Sequence, residues 1–71
     1  MTPEEMLKIQ KYLCKLFDNQ KITVKKGDGK DAPAEAYVGK EFVGVIYKDE
    51  DDGDISYDWN MSILCDDLQD L

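Results

Sequence analysis

The chain has 71 residues, with sixteen acidic side chains against nine basic ones, all of them lysine, no histidine and a formal net charge of −7. A negative field repels nucleic acid and anionic membranes, and the absence of arginine removes the usual bidentate reader of phosphate and guanine. The absence of histidine removes the commonest general base near neutral pH and the commonest zinc ligand. We therefore expect no nucleic-acid partner, no membrane partner, no cofactor and no enzymatic activity.

The length predicts a single domain over residues 1–71. A chain of 8.1 kDa buries roughly 60% of its extended surface on folding, which leaves a narrow stability margin. Dimerisation would widen that margin, so a homodimer stays open. Cys14 and Cys65 lack a Cys-x-x-Cys spacing and the N-terminus lacks a signal-peptide core, which favours a cytoplasmic protein whose cysteines are small hydrophobes rather than a disulfide or metal site.

The first residues carry a helix start signal. Thr2 suits the N-cap, Pro3 the first helical position, and Glu5 completes a capping box. The pattern predicts an amphipathic helix from Pro3 to Phe17, ended by Asp18-Asn19. Its apolar positions lie on one face, opposite three lysines: Met6, Ile9, Leu13, Leu16 and Phe17 against Lys8, Lys11 and Lys15.

Three strand-like segments precede the acidic stretch of the chain. They are Lys21–Lys26, then Ala34–Val38 and Glu41–Tyr47, the last two joined by Gly39-Lys40. A glycine at the first central position favours a tight primed turn and hence a hairpin. A two-residue loop would make these pairs: Val38 with Glu41, Ala36 with Val43, and Ala34 with Val45. This register places Tyr37, Phe42 and Ile46 together on one face of the hairpin.

The stretch from Ile55 to Ile63 alternates apolar and polar residues without a break, which predicts a long strand with one buried face. Pairing Tyr47 with Ile55 would set Val45 opposite Tyr57 and Val43 opposite Trp59. We predict an α+β fold in which the N-terminal amphipathic helix packs on a three- to four-stranded antiparallel β-meander. Leucines at positions 64, 68 and 71 predict a short helical C-terminal tail.

Two surfaces are candidates for binding. Tyr37, Phe42 and Ile46 would form an apolar patch on an otherwise polar sheet face, which marks either an interface or a place where the C-terminal leucines fold back. We hold both interpretations open. The patch favours a non-enzymatic protein–protein interaction or regulatory module with an unknown protein partner.

The second candidate is an acidic loop before the long strand, made of Asp49, Glu50, Asp51, Asp52 and Asp54. Closely spaced carboxylates could bind a divalent cation, although the calcium-loop register fails because Lys48 would take the first ligand position. A solvated turn that discourages aggregation is the simpler interpretation. A third hypothesis is an acidic mimic of nucleic acid that occupies a basic partner.

Several segments resemble a small alphaproteobacterial domain-of-unknown-function family of about this length. The segments are Ile9-Gln10-Lys11-Tyr12-Leu13, Ala34 to Gly39, Glu41 to Val45, Asp49 to Tyr57 and Met61 to Leu64. The run from Asp49 to Tyr57 is the most specific. The resemblance implies a cytosolic bacterial protein of unknown function, with no catalytic residues to assign.

Overall fold

The computed structural model describes residues 1–69 and 71, which form one helix, a four-stranded antiparallel sheet and a short 3-10 helix. The strands follow one another in the sheet in the order β1-β2-β3-β4. This architecture confirms the predicted α+β meander. The elements are α1 (Pro3–Leu16), β1 (Ile22–Lys25), β2 (Ala34–Val38), β3 (Glu41–Asp51), β4 (Asp54–Asn60) and a 3-10 helix (Cys65–Leu68).

Helix α1 begins with the predicted capping box. The Glu5 N–H donates to Thr2 Oγ1 at 3.1 Å, and the Thr2 N–H donates to Glu5 Oε1 at 2.8 Å. Two backbone donors that the helix itself leaves without partners are thereby satisfied. The helix ends at Leu16 with Phe17 as the C-cap, one residue earlier than predicted.

The core lies between α1 and the half of the sheet that begins at β1. The partly buried side chains that pack against this core are Met6, Ile9, Cys14, Val38, Val43 and Trp59. Leu16 and Phe17, predicted to face inward, stay 58% and 55% exposed. The buried side chains are Leu13, Ile22, Val24, Ala34, Ala36 and Ile46.

The β2–β3 hairpin turns at Gly39 with a positive φ of 61°, and Val38 pairs with Glu41, both as predicted. Further along, the predicted register is wrong because of a β-bulge. Tyr37 pairs with Phe42 and Ala36 pairs with Gly44, so Val43 is an extra residue on β3.

The bulge reverses the faces of the residues that follow it. Ala34 pairs with Ile46, and Ile46 is 1% exposed in the core beneath α1. The prediction that Ile46 lies on the outer face with Tyr37 and Phe42 is therefore wrong. A shift of one residue moves a whole strand segment to the other side of a sheet.

Gly44 is required at this bulge. Its φ is 127°, a conformation that side chains rarely adopt, and an added Cβ would collide with the carbonyl oxygen of Asn60 and lie 2.7 Å from Trp59 Nε1. A glycine inside a strand often marks such a close backbone approach. Its missing side chain lets β4 and the Trp59 ring lie close to β3.

The prediction of an acidic loop is wrong, because most of its residues lie in strands. Strand β3 continues to Asp51, and only Asp52 and Gly53 form the turn, both with positive φ (51° and 84°). This is the geometry of a type I′ hairpin turn, for which Asp-Gly is a preferred sequence. The observed partners on the helix-facing side also differ from the prediction: Ile46 with Trp59, Lys48 with Tyr57 and Glu50 with Ile55.

The C-terminal segment confirms a short helical turn, although as the 3-10 helix Cys65–Leu68. The predicted helical tail included Asp70, which lies outside the described residues. Ile63 and Leu68 border a cleft beside Phe42, yet each of the three side chains stays more than half exposed. The tail therefore lies next to this patch without burying it.

The cysteines are predicted to be small buried hydrophobes, and this prediction is wrong for Cys65. Cys14 is half-buried, and its Sγ donates to the carbonyl of Ile22 at 3.4 Å, while Cys65 is exposed; both are free thiols.

Across the residues that the structure describes, no helix combines the length and apolar character needed to cross a membrane.

Candidate interaction site

An apolar groove lies between helix α1 and strand β4, above Ile46 of the core. Its volume is about 320 Å³. That size suits one or two apolar side chains of a partner, at the lower end of the range of small-ligand pockets. The groove is lined by Lys8, Ile9, Tyr12, Leu13, Ile46, Tyr57 and Trp59.

The groove exists because the helix contacts β4 at both of its ends and leaves a gap between them. Near the helix N-terminus, the Tyr57 hydroxyl donates to Glu5 Oε2 at 2.6 Å. Near the C-terminus, the Phe17 ring meets Trp59 edge to face, with centroids 5.8 Å apart. These two contacts connect the two ends of the helix region to β4.

The Glu5 end is an ion-pair cluster. Lys48 Nζ lies 2.7 Å from Glu5 Oε2 and 2.9 Å from Glu50 Oε1. Hydrogen bonds from Lys48, Tyr57 and the Thr2 backbone stabilise the ionised carboxylate and hold the pKa of Glu5 far below its ordinary range. The same contacts raise the pKa of Lys48, through Glu5 and then Glu50, and the pKa of Tyr57, through Glu5.

Trp59 forms the floor at the other end. Its Nε1–H donates to the carbonyl of Val43, the bulge residue, at 2.9 Å. This bond satisfies the polar atom of a half-buried indole and orients the ring. Because Val43 is displaced by the bulge, the bulge and the groove depend on the same backbone geometry.

Strand β4 is an edge of the sheet, with β3 on one side and no further strand on the other within the described part of the chain. Its helix-facing residues are Ile55, Tyr57 and Trp59, and Ile55 is 57% exposed. An edge strand presents a row of backbone N–H and C=O groups without sheet partners. The edge and the groove are thus adjacent.

The outer face of the same hairpin is acidic. By alternation from Ile46 and Trp59, the outward residues include Asp49 and Asp51 of β3 and Asp54 and Asp58 of β4. Among the described residues, no lysine lies within salt-bridge distance of these four carboxylates, since the ion pairs of the hairpin gather around Lys48 on the helix side.

The patch predicted from Tyr37, Phe42 and Ile46 is only partly assembled. Tyr37 and Phe42 meet edge to face on the outer side at 5.6 Å, but Ile46 is in the core. The Tyr37 hydroxyl donates to Glu35 Oε1 at 2.9 Å, which raises the pKa of Tyr37, and Lys25 Nζ lies 4.9 Å from the ring centroid. These polar neighbours reduce the apolar surface that this face offers.

The acidic residues do not converge on one point. Asp49, Asp51 and Asp54 lie along the outer face, Glu50 faces the helix side beside Lys48, and Asp52 is in the turn. In residues 1–69 and 71, no group of three or more His, Cys, Asp or Glu side chains could hold a metal ion. The cation hypothesis therefore gains no geometric support, and the acidic-mimic hypothesis stays a prediction.

The groove is not predicted by the sequence patterns above, although two local signals indicate the register on which it depends. Gly44 inside a strand indicates a bulge, and Asp52-Gly53 is the strongest short hairpin signal. Together they set the register that places Ile46 under the helix and Tyr57 and Trp59 beside it.

The fold and groove define a small α+β protein with one helix on a four-stranded meander and an exposed apolar groove at the sheet edge. A family model described as a protein of unknown function (DUF3126) matches residues 5–67, and the chain belongs to this family. No curated protein matches the chain. No solved structure matches it either.

Proposed function

We propose that the protein is a non-enzymatic interaction module that captures an extended segment of a protein partner on strand β4. The observation that carries this proposal is an apolar groove lying beside an edge strand. An added strand would take main-chain hydrogen bonds from the edge, and its alternate side chains would enter the groove. Main-chain pairing supplies affinity in this binding mode, and the groove supplies selectivity.

The large exposed area of the chain supports the proposal that a bound partner covers part of its surface. The accessible surface is 5950 Å². A folded monomer of 8.1 kDa exposes about 4,500 Å² by the usual scaling with mass. The excess, about 1,450 Å², exceeds the roughly 800 Å² per partner of a standard interface.

The shape gives the same indication. The radius of gyration is 13.3 Å, against about 11 Å for a compact chain of this length, and the extents are 44 × 24 × 22 Å. The long β3–β4 hairpin accounts for much of this elongation, since residues 49–58 are all exposed. A hairpin that projects from the core is accessible from its free edge.

The resemblance to bacterial proteins and the two free thiols support a place in the reducing bacterial cytoplasm.

Selection of random peptides displayed on phage tests the proposed function. We expect wild-type protein to enrich peptides that shift the amide signals of β4 and the Trp59 indole. Tyr12→Asp should not enrich them, because Tyr12 is 62% exposed at the groove rim and a charge there opposes apolar side chains.

A matched control for that variant is Tyr47→Asp. Tyr47 is 48% exposed on the outer face, so this variant adds the same charge away from the groove. It should enrich the same peptides as the wild type. Equal enrichment by the wild type and Tyr12→Asp, or none by either, would contradict the proposed function.

A further inference from the structure

We infer that the segment bound by β4 alternates basic and apolar residues, with the basic side chains on the outer sheet face and the apolar ones in the groove. This inference rests on the proposed function and adds the chemistry of the partner. It combines three features of the same strand: the apolar groove on one face, the aspartates on the other, and the free edge between them.

Two aspartates lie on the outer face of β4. Asp54 and Asp58 lie two positions on either side of Ser56 on the outer face of β4. Directly opposed residues of adjacent antiparallel strands have Cβ atoms about 5 Å apart, and an opposite-charge pair there is favourable. A strand added to β4 therefore places its outward side chains beside these carboxylates, where lysine or arginine is preferred.

The lining of the groove determines which face of the bound segment is basic. On the helix side of β4, the groove is apolar, and the cation that lines it is Lys8. A basic side chain directed into the groove would lose hydration and meet a like charge. Because strand residues alternate between faces, the lysines of the segment must all fall in one phase.

The negative charge of the chain and of β4 favours a foreign segment over a second copy of the same chain. Each chain carries a net charge of −7, so two copies repel. Antiparallel pairing of two β4 strands about Asp58 would set Asp58 against its copy, and pairing about Ser56 would set Asp54 against Asp58. Charged residues on an edge strand oppose self-pairing of this kind.

Synthetic peptides of about seven residues, the length of β4, test the inference. The first alternates lysine with valine and phenylalanine, the second has glutamine in place of lysine, and the third scrambles the first so that the alternation is lost. Binding is followed by amide shifts of β4 and by the Trp59 indole. We expect the first peptide to bind about tenfold more tightly than either of the others. Each favourable charge pair contributes part of the binding free energy that corresponds to this ratio.

Two double variants with the same change in net charge provide the control. The double variant Asp54→Asn with Asp58→Asn should bind the lysine peptide several-fold more weakly than the wild type. Most of the salt dependence of binding should also be lost. Asp28→Asn with Asp31→Asn changes two carboxylates of the β1–β2 loop, which follows the far strand of the sheet, and should leave binding near the wild-type value.

The outcomes separate the inference from the proposed function. If the glutamine peptide binds as tightly as the lysine peptide, or both double variants weaken binding equally, the inference is wrong while strand capture stands. If light scattering shows a dimer whose β4 no peptide displaces, the partner is a second copy and the inference is again wrong. If the protein is a monomer and no peptide shifts β4 or the indole, the proposed function fails as well.

Discussion

The two halves of the sheet differ in how their apolar side chains are used. Strands β1 and β2 contribute Ile22, Val24, Ala34 and Ala36, each at most 8% exposed beneath α1. The β3–β4 hairpin contributes one deeply buried side chain, Ile46, and leaves Ile55 and Tyr57 exposed although they occupy the same sheet face. One half forms the core, and the other half keeps much of its apolar surface in water.

This difference indicates a division of roles. Burial of apolar surface stabilises the fold in the first half, whereas exposed apolar surface in the second half gains free energy only when a partner covers it. Substitutions in the two halves should therefore separate stability from binding.

The largest expected effect is at Ile46. Ile46→Ala removes the most deeply buried large side chain of the described residues and should lower the free energy of unfolding by about 4 kcal/mol. Urea denaturation followed by circular dichroism measures this change. A loss below about 1 kcal/mol would show that the site collapses around the smaller residue and that the core is not centred there.

Gly44 connects the two halves. Gly44→Ala should cost about 3 kcal/mol, because the positive φ is unfavourable for alanine and the added Cβ collides with Asn60. Gly39→Ala is the control, since Gly39 also has a positive φ but open space around it, and should cost about 1 kcal/mol. Equal losses would mean that the close approach of β4 does not matter.

The ion-pair cluster of Glu5, Lys48 and Glu50 joins the helix to the hairpin, and we expect it to respond to pH. Because the folded pKa of Glu5 is depressed, its contribution is present above the ordinary carboxyl pKa and is lost as pH falls through the folded value. Glu5→Gln should therefore lower the melting temperature by a few degrees at pH 7 and lose less stability than wild type on acidification below about pH 4.

Glu4→Gln is the matched control for that variant, because Glu4 lies in the same first turn of α1 and takes no part in the ion pairs of Lys48. Its acid sensitivity should follow the wild type. Thermal melts between pH 3 and pH 7 would contradict this account if both variants behaved alike.

The smallest expected effect is at Ile55. Ile55→Ala should change the free energy of unfolding by less than about 0.5 kcal/mol, since the side chain is largely exposed. The same substitution should measurably lower the affinity of the protein for the lysine peptide. A large loss of stability without loss of binding would reverse the roles assigned to the two halves.

The sequence predicted the elements better than the surfaces. The capping box at Thr2 and the turn at Gly39 are local signals, and both are confirmed. The register beyond Gly44 depends on one extra residue in β3, and that residue moved Ile46 to the opposite face. Binary patterning does not reveal this shift, because apolar residues occupy both alternating positions after Gly44, at Val45 and at Ile46.

The acidic stretch shows the same limit. Five acidic residues suggested a loop, whereas the Asp52-Gly53 turn confines the reversal to two residues and makes the remainder strand. The groove also depends on where α1 crosses β4, which is a tertiary property. Its lining residues come from separate elements that no local pattern connects.

The most direct test of the central claim is amide hydrogen exchange of β4 with and without the lysine peptide. We expect peptide binding to slow exchange by at least about tenfold at those β4 amides that point away from β3, and to leave exchange in β1 unchanged. Unchanged exchange along β4 at saturating peptide would contradict strand capture at this edge.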